Sequence, residues 1–178
     1  MGAAYSFAST WHIDAPVDAC AAAFAEMFTS RDGRATDSWW RGVRVERAPR
    51  RIGVGERVVL GVRSPFGYRL RVDLTVTAWR QDREIAATSA GDLTGRGRIT
   101  LRARSEHASS VTIVWNVKTE RAWMSKTSFL LRPAFTVAHA WVMRAGERGL
   151  REAAADAPSD IRNADNRRIR QGPRRACR

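Results

Sequence analysis

The sequence has only two cysteines, Cys20 and Cys177, near opposite ends of the chain. Small disulfide-stabilised domains carry several cysteines at short spacings, and structural zinc sites carry theirs in close pairs. Neither pattern is present, which excludes a disulfide framework and a cysteine-based zinc site. The three histidines, His12, His107 and His139, show no metal-ligand spacing either. We expect no metal and no other cofactor.

Long apolar segments are also missing. No stretch approaches the roughly 20 apolar residues that cross a bilayer. The N-terminus has neither the basic region nor the apolar core of a secretory signal. Together with the scarcity of cysteine, these absences favour a soluble protein of the reducing cytoplasm, without a transmembrane segment. We expect it to be a monomer or a homodimer.

Lysine is nearly absent, although the chain is strongly basic. Lys118 and Lys126 are the only lysines among 31 basic residues, and the formal net charge is +13. The other basic residues are arginines spread along the whole chain. Because positive charge attracts phosphates, an electrostatic binder of nucleic acid or anionic lipid remains one hypothesis. Aromatic residues do not interleave these arginines, as base stacking would require, so we expect no specific nucleic-acid recognition.

The length and apolar content suit one domain. The chain has 178 residues, of which 44% are hydrophobic, enough to bury a sizeable core. Beyond residue 155 the composition turns to arginine, aspartate and asparagine, which is typical of segments that do not fold alone. We therefore predict one domain over residues 1–155 and a basic, disordered tail over residues 156–178.

Alternation of apolar and polar residues predicts seven β-strands. The pattern is clearest where Leu70, Val72 and Leu74 alternate with charged or hydroxyl side chains. Short turns separate the later segments, which favours consecutive antiparallel pairing in a meander. The predicted strands cover residues 5–13, 43–47, 56–63, 68–79, 84–89, 93–104 and 109–119.

The remaining segments predict helices. Pro16 and the alanine-rich residues 17–28 indicate a short helix, and a second short helical piece is expected before Trp39. Residues 132–155 have helical periodicity, with Pro133 in the first turn. The apolar stripe of this helix requires a cover, and only the inner face of the sheet is available. The predicted fold class is therefore α+β, with a curved seven-stranded antiparallel sheet wrapped around a long C-terminal helix.

Two glycines on the inward side of the sixth strand are unusual. Gly95 and Gly97 remove volume where a core normally places side chains. They indicate a bend, a close approach of other atoms, or an empty space. A hollow sheet is one consequence of the last possibility.

Six local segments follow one another along the chain: residues 11–16 (WHIDAP), 39–40 (WW), 91–97 (GDLTGRG), 115–117 (WNV), 123–124 (WM) and 139–150 (HAWVMRAGERGL). In this order they resemble the START-like or SRPBCC superfamily, particularly its polyketide cyclase/dehydrase branch. The resemblance covers about residues 5–154 and implies the helix-grip fold, with a cavity for hydrophobic or aromatic molecules between sheet and helix. One departure is Ala138, where members often carry asparagine.

The candidate site combines aromatic residues with one histidine. His139 lies among apolar neighbours, where its imidazole would anchor a polar group or act as a general acid or base. A core histidine bonded to a carbonyl is the alternative. Large rings with few polar groups are typical of small-molecule pockets. The residues expected to contact a ligand are Trp11, Trp40, Tyr68, Trp115, Trp123, Phe135, His139 and Val142.

These observations lead to three hypotheses, because one fold of this kind supports carriers, sensors, cyclases and hydrolases. The leading hypothesis is binding of a small hydrophobic or aromatic molecule. The alternative is a metal-independent cyclase or dehydratase in which His139 transfers protons. The third is electrostatic binding of nucleic acid or anionic lipid by the arginines.

Overall fold

The computed structural model describes residues 4–33, 38–65, 67–80, 83–119 and 128–156, without the side chains of residues 119 and 128–135. The predicted α+β class is confirmed. The elements are β1 (Ala4–Ile13), α1 (Val17–Met27), β2 (Val43–Arg47), β3 (Arg57–Arg63), β4 (Arg69–Arg80), β5 (Glu84–Gly91), β6 (Leu93–Ser105), β7 (Ala108–Thr119) and α2 (Ser128–Asp156).

The seven strands form one antiparallel sheet in the order β1-β7-β6-β5-β4-β3-β2. Strands β2 to β7 are the predicted meander. Strand β1 pairs with β7 at the far end, so that Phe7 lies opposite Trp115 and Trp11 opposite Val111. Register shifts occur in the β2–β3, β4–β5 and β6–β7 pairs. Such irregularities bend strands and increase their twist, which helps the sheet to curve.

The alternation along the strands separates a buried face from a solvated one. Trp11 and Ile13 of β1 and Val111 of β7 are almost fully buried. Their neighbours along the same strands, such as Thr10 and His12, are exposed. The inner face therefore supplies the core, and the outer face carries polar and charged side chains.

The two helices differ from the prediction in detail. Helix α1 matches the predicted first short helix. The described residues 28–33 and 38–42 form bends and turns without a second helix, and residues 34–37 lie outside the described part. Helix α2 begins at Ser128 rather than at residue 132, which puts Pro133 in its second turn. An interior proline costs a helix one hydrogen bond and a steric clash with the carbonyl four residues earlier, and this helix nevertheless continues through Pro133.

Small residues allow α2 to approach the tryptophans closely. A Cβ at Gly146 would lie 2.5 Å from the Trp40 ring and 2.7 Å from the Trp11 ring. Trp40 also donates a hydrogen bond from Nε1 to the carbonyl of Val142 at 2.8 Å. Trp39 donates similarly to the carbonyl of Ala23 in α1 at 3.0 Å. The tryptophan pair therefore joins both helices to the sheet.

None of the helices described is long and apolar enough to cross a membrane. The predicted tail, residues 156–178, lies outside the described residues except for Asp156, the last residue of α2. The division into a domain and a disordered tail therefore stays a prediction.

Candidate functional site

A cavity of about 230 Å³ lies between the inner face of the sheet and α2. Its wall is built mainly from the apolar inward residues of β3 to β7, whose alternation points every second side chain to the same side. Representative wall residues are Leu60, Leu70, Val72, Leu74, Val76 and Ile113. The cavity is thus a product of sheet curvature and of an apolar strand face that α2 does not fill.

Five of the residues expected from the sequence line this cavity: Trp40, Tyr68, Trp115, His139 and Val142. Their contact with a ligand stays a prediction. Trp11 is not part of the wall. It is 2% exposed and packs edge-on against Trp40, with ring centroids 5.0 Å apart. Trp123 lies outside the described residues, and so does the side chain of Phe135.

The inward glycines of β6 mark close approaches. A Cβ at Gly97 would overlap the indole ring of Trp115, which lies opposite it on β7. A Cβ at Gly95 would overlap the backbone carbonyl of Asn116. Of the three possibilities left open by the sequence, close approach is therefore the one realised, and the space above Gly97 holds the Trp115 ring.

His139 is the most unusual polar group of the wall. Its ring stacks on Phe7, with centroids 4.1 Å apart and planes 18° apart. Its Nε2 is buried and has no hydrogen-bond partner among the described residues. Burial lowers the pKa of His139 below its ordinary value of 6.5, so the imidazole is neutral at neutral pH. The alternative, a core histidine bonded to a carbonyl, would therefore require that bond at Nδ1, since Nε2 has none among the described residues.

A second polar spot lies at the turn between β3 and β4. Burial raises the pKa of the Tyr68 phenol above 10.0, and a hydrogen bond with the Ser64 side chain partly offsets this increase. Ser64 is itself only 5% exposed. The hydroxyls of Ser64 and Tyr68 therefore form a small polar spot in an otherwise apolar wall.

Sequence reasoning did not include three wall residues with aromatic or hydroxyl side chains among the expected ligand contacts. Tyr5 and Phe7 belong to the inward face of β1, and their rings stack with centroids 5.9 Å apart. The inward alternation of β1 was the signal that could have identified them. Ser64 has no such signal, because a serine in a Pro-Gly turn is usually solvated.

The outer face of the sheet carries a stripe of arginines. All six of its arginines are exposed: Arg69, Arg71, Arg96, Arg98, Arg102 and Arg104. Some have local partners, such as Asp73 for Arg71 and Glu84 for Arg98. Of these six arginines, only Arg98 is also among the residues that line the cavity. Its binding of nucleic acid or anionic lipid stays a prediction.

Metal-ligating side chains do not cluster in the described ranges. No group of three or more His, Cys, Asp or Glu residues there is close enough to hold a metal ion. Cys20 is a free, buried thiol.

Comparison with known proteins places the fold. No protein-family model matches the sequence, and no curated protein matches it. A protein of Thermus thermophilus has a similar structure, with a TM-score of 0.67 and 16% identity, covering 87% of this chain and all of that one. The Zhui aromatase/cyclase of a Streptomyces species has a TM-score of 0.64 and 13% identity, covering 91% of this chain and 98% of that one.

A third similar structure is a START superfamily protein of Mycobacterium smegmatis, with a TM-score of 0.58 and 10% identity, covering 86% of this chain and 99% of that one. Identities this low establish a shared fold and transfer no site residue. Together with the curved sheet and the C-terminal helix, these likenesses show that the chain has the START-like helix-grip fold, which it shares with an aromatase/cyclase.

Proposed function

We propose that this protein binds a small, mainly apolar molecule, with aromatic compounds as the first candidates, in the cavity between the sheet and α2. One observation carries this proposal: an apolar cavity of about 230 Å³ whose wall includes Nε2 of His139, an atom without a hydrogen-bond partner in the part of the chain that the structure describes. An unsatisfied buried polar atom costs about 1–3 kcal/mol, and a bound ligand is one way to recover that energy.

The size of the cavity limits the ligand. An engineered apolar cavity of about 150 Å³ stays dry and binds benzene. A volume of about 230 Å³ therefore has room for a larger ring system or a medium-length acyl chain. Binding would derive mainly from burial of apolar surface, at about 25 cal/mol per Å² before association costs are subtracted.

His139 gives the ligand an expected chemical feature. A neutral imidazole has one N–H donor and one acceptor nitrogen, so Nε2 pairs with a hydroxyl or a carbonyl according to the tautomer. The Phe7 ring holds the imidazole in place by stacking. A phenol or an aromatic ketone fits the cavity better than a pure hydrocarbon of the same shape.

Catalysis is the second candidate function, and two observations favour it. A similar fold occurs in an aromatase/cyclase, and the neutral His139 lies in a largely apolar wall, where a base can accept a proton near neutral pH. In this case His139→Gln should keep ligand binding, because the amide still forms hydrogen bonds, and should abolish turnover. Absence of turnover in the wild type would favour the simple binding role, and loss of binding together with turnover in His139→Gln would show that His139 anchors the ligand.

The proposed function is tested by native mass spectrometry of the purified protein, followed by a thermal-shift screen. The screen compares phenolic and polycyclic aromatic, polyketide-like, sterol and fatty-acyl compounds. A ligand that binds only the folded state stabilises it by about 2.7 kcal/mol at 100 times its Kd. We expect at least one apolar class to raise the Tm. If no compound in any class does so, the proposal is wrong.

A further inference from the structure

A second hollow adjoins the cavity, and its chemistry is different. It is a groove of about 360 Å³ between the start of β2, the β3–β4 turn and α2. Its walls include Arg41, Gly42, Arg63, Ser64 and Trp141. Ser64 lines both the groove and the apolar cavity. The cavity and the groove are therefore neighbours, with this buried residue between them.

Gly42 determines the local geometry of the groove. The backbone N–H of Arg63 donates to the carbonyl of Gly42 at 2.7 Å, which fixes Arg41 beside the end of β3. A Cβ at Gly42 would lie only 2.9 Å from the Trp141 ring, and the φ angle of this residue is +90°. Glycine thus permits both the turn and the ring contact. The ring, in turn, forms the wall on the side of α2.

Among the described residues, the two arginines of the groove have no acidic partner. Both side chains are exposed, and neither forms an ion pair within the described ranges. Other arginines are neutralised locally, for example Arg151 by Glu147 at 2.8 Å and Arg98 by Glu84 at 3.2 Å. The groove therefore has two positive charges at the edge of an apolar cavity that no described acidic residue compensates.

We propose that Arg41 and Arg63 bind an anionic head group of the ligand, a carboxylate or a phosphate, while its apolar part occupies the cavity. The inference rests on the proposed function and narrows it to amphipathic acids. Guanidinium groups suit this role because they remain charged and pair with oxyanions through two parallel hydrogen bonds. The Ser64 and Tyr68 hydroxyls lie where the apolar part would meet the head group.

The test compares three ligands with the same ten-carbon chain: 1-decanol, decanoate and decyl phosphate, each below its micelle concentration. Their affinities are measured by titration calorimetry for the wild type, Arg41→Gln and Arg63→Gln. Arg102→Gln is the matched control, since Arg102 is exposed on β6, whose partner at that point is Ser110 of β7. The control removes the same charge away from the groove.

We expect the wild type to bind at least one of the two anions more tightly than 1-decanol. Each groove variant should lower the affinity for that anion by about three- to tenfold. This is equivalent to the loss of one charge-assisted contact that is partly screened by water. Binding of 1-decanol should not change, and Arg102→Gln should behave as the wild type. Which anion gains more identifies the head group as a carboxylate or a phosphate.

Equal affinities for 1-decanol and both anions would overturn the inference and leave the proposed function intact. The same holds if both groove variants bind the anions as tightly as Arg102→Gln. Failure of all three ligands to bind would count against the proposed function for acyl compounds and against this inference together.

Discussion

The indole ring of Trp115 lies across Gly97, its cross-strand neighbour on β6, so closely that a Cβ at position 97 would overlap two ring carbons. The ring occupies the space of a missing side chain instead of extending farther into the cavity. The volume available to a ligand therefore depends on the absence of one methyl group.

Gly97→Ala should destabilise the protein and weaken ligand binding. The added methyl group forces the Trp115 ring to move, and overpacking of this kind costs about 1–3 kcal/mol. Gly53→Ala is the control, because a Cβ there meets nothing within 4 Å. The measurement is urea unfolding of both variants, with the affinity for 2-naphthol as a second readout. Equal stability of the two variants would show that the Gly97–Trp115 contact is unimportant.

His139→Leu should stabilise the empty protein and reduce its discrimination between ligands. The substitution removes a buried nitrogen that has no partner among the residues described, and the burial of such an atom costs about 1–3 kcal/mol. The wild type should prefer 2-naphthol to naphthalene, and the variant should not. His107→Leu, at an exposed turn position, serves as the control. An unchanged preference in His139→Leu would exclude a ligand hydrogen bond at His139.

The pKa of His139 predicts how stability depends on pH. Burial holds the folded-state pKa below the ordinary 6.5. The neutral ring therefore contributes stability that is fully present above pH 6.5 and is lost as the pH falls towards the lower folded-state pKa. The unfolding free energy of the wild type should decline relative to that of His139→Leu below pH 6.5. A histidine resonance for His139 that titrates at or above 6.5 would contradict this account.

Cys20 should resist thiol reagents in the folded protein. Burial raises its pKa from 9.0 to about 11, so almost no thiolate forms at mildly alkaline pH. The test uses Cys177→Ser to leave a single thiol and measures labelling by a disulfide reagent with and without urea. Labelling is expected only in urea. Stability linked to this thiol should be lost between about pH 9 and 11, because the unfolded thiol ionises first.

The strands could be predicted from the sequence because the alternation of apolar and polar residues is a local signal. The prediction for β4 was residues 68–79, and the strand is Arg69–Arg80. The start of α2 was harder to predict. By propensity Pro133 indicates a first helical turn, whereas the helix begins four residues before the predicted start. The helix propensity of proline favours the first turn of a helix, but the structural context of the surrounding chain can override this preference.

The site could be predicted only in part, for a different reason. Trp11 and Trp40 are both large aromatic residues, but only Trp40 lines the cavity, because Trp11 packs against it near Gly146. That difference depends on where α2 crosses the sheet. The groove arginines, Arg41 and Arg63, lie on different segments, which a backbone hydrogen bond from Arg63 to the carbonyl of Gly42 brings together. Neither arrangement has a local sequence pattern.

The most direct test of the central claim fills the cavity with a side chain. Ala87 lines the cavity on β5, whereas Ala90 of the same strand is exposed. Ala87→Phe and Ala90→Phe therefore add the same ring inside and outside the site. Binding of 1-aminoanthracene, followed by its fluorescence, should be lost in Ala87→Phe and kept in Ala90→Phe, with both variants folded by circular dichroism. Equal binding by both variants would show that the probe binds elsewhere and would contradict the account.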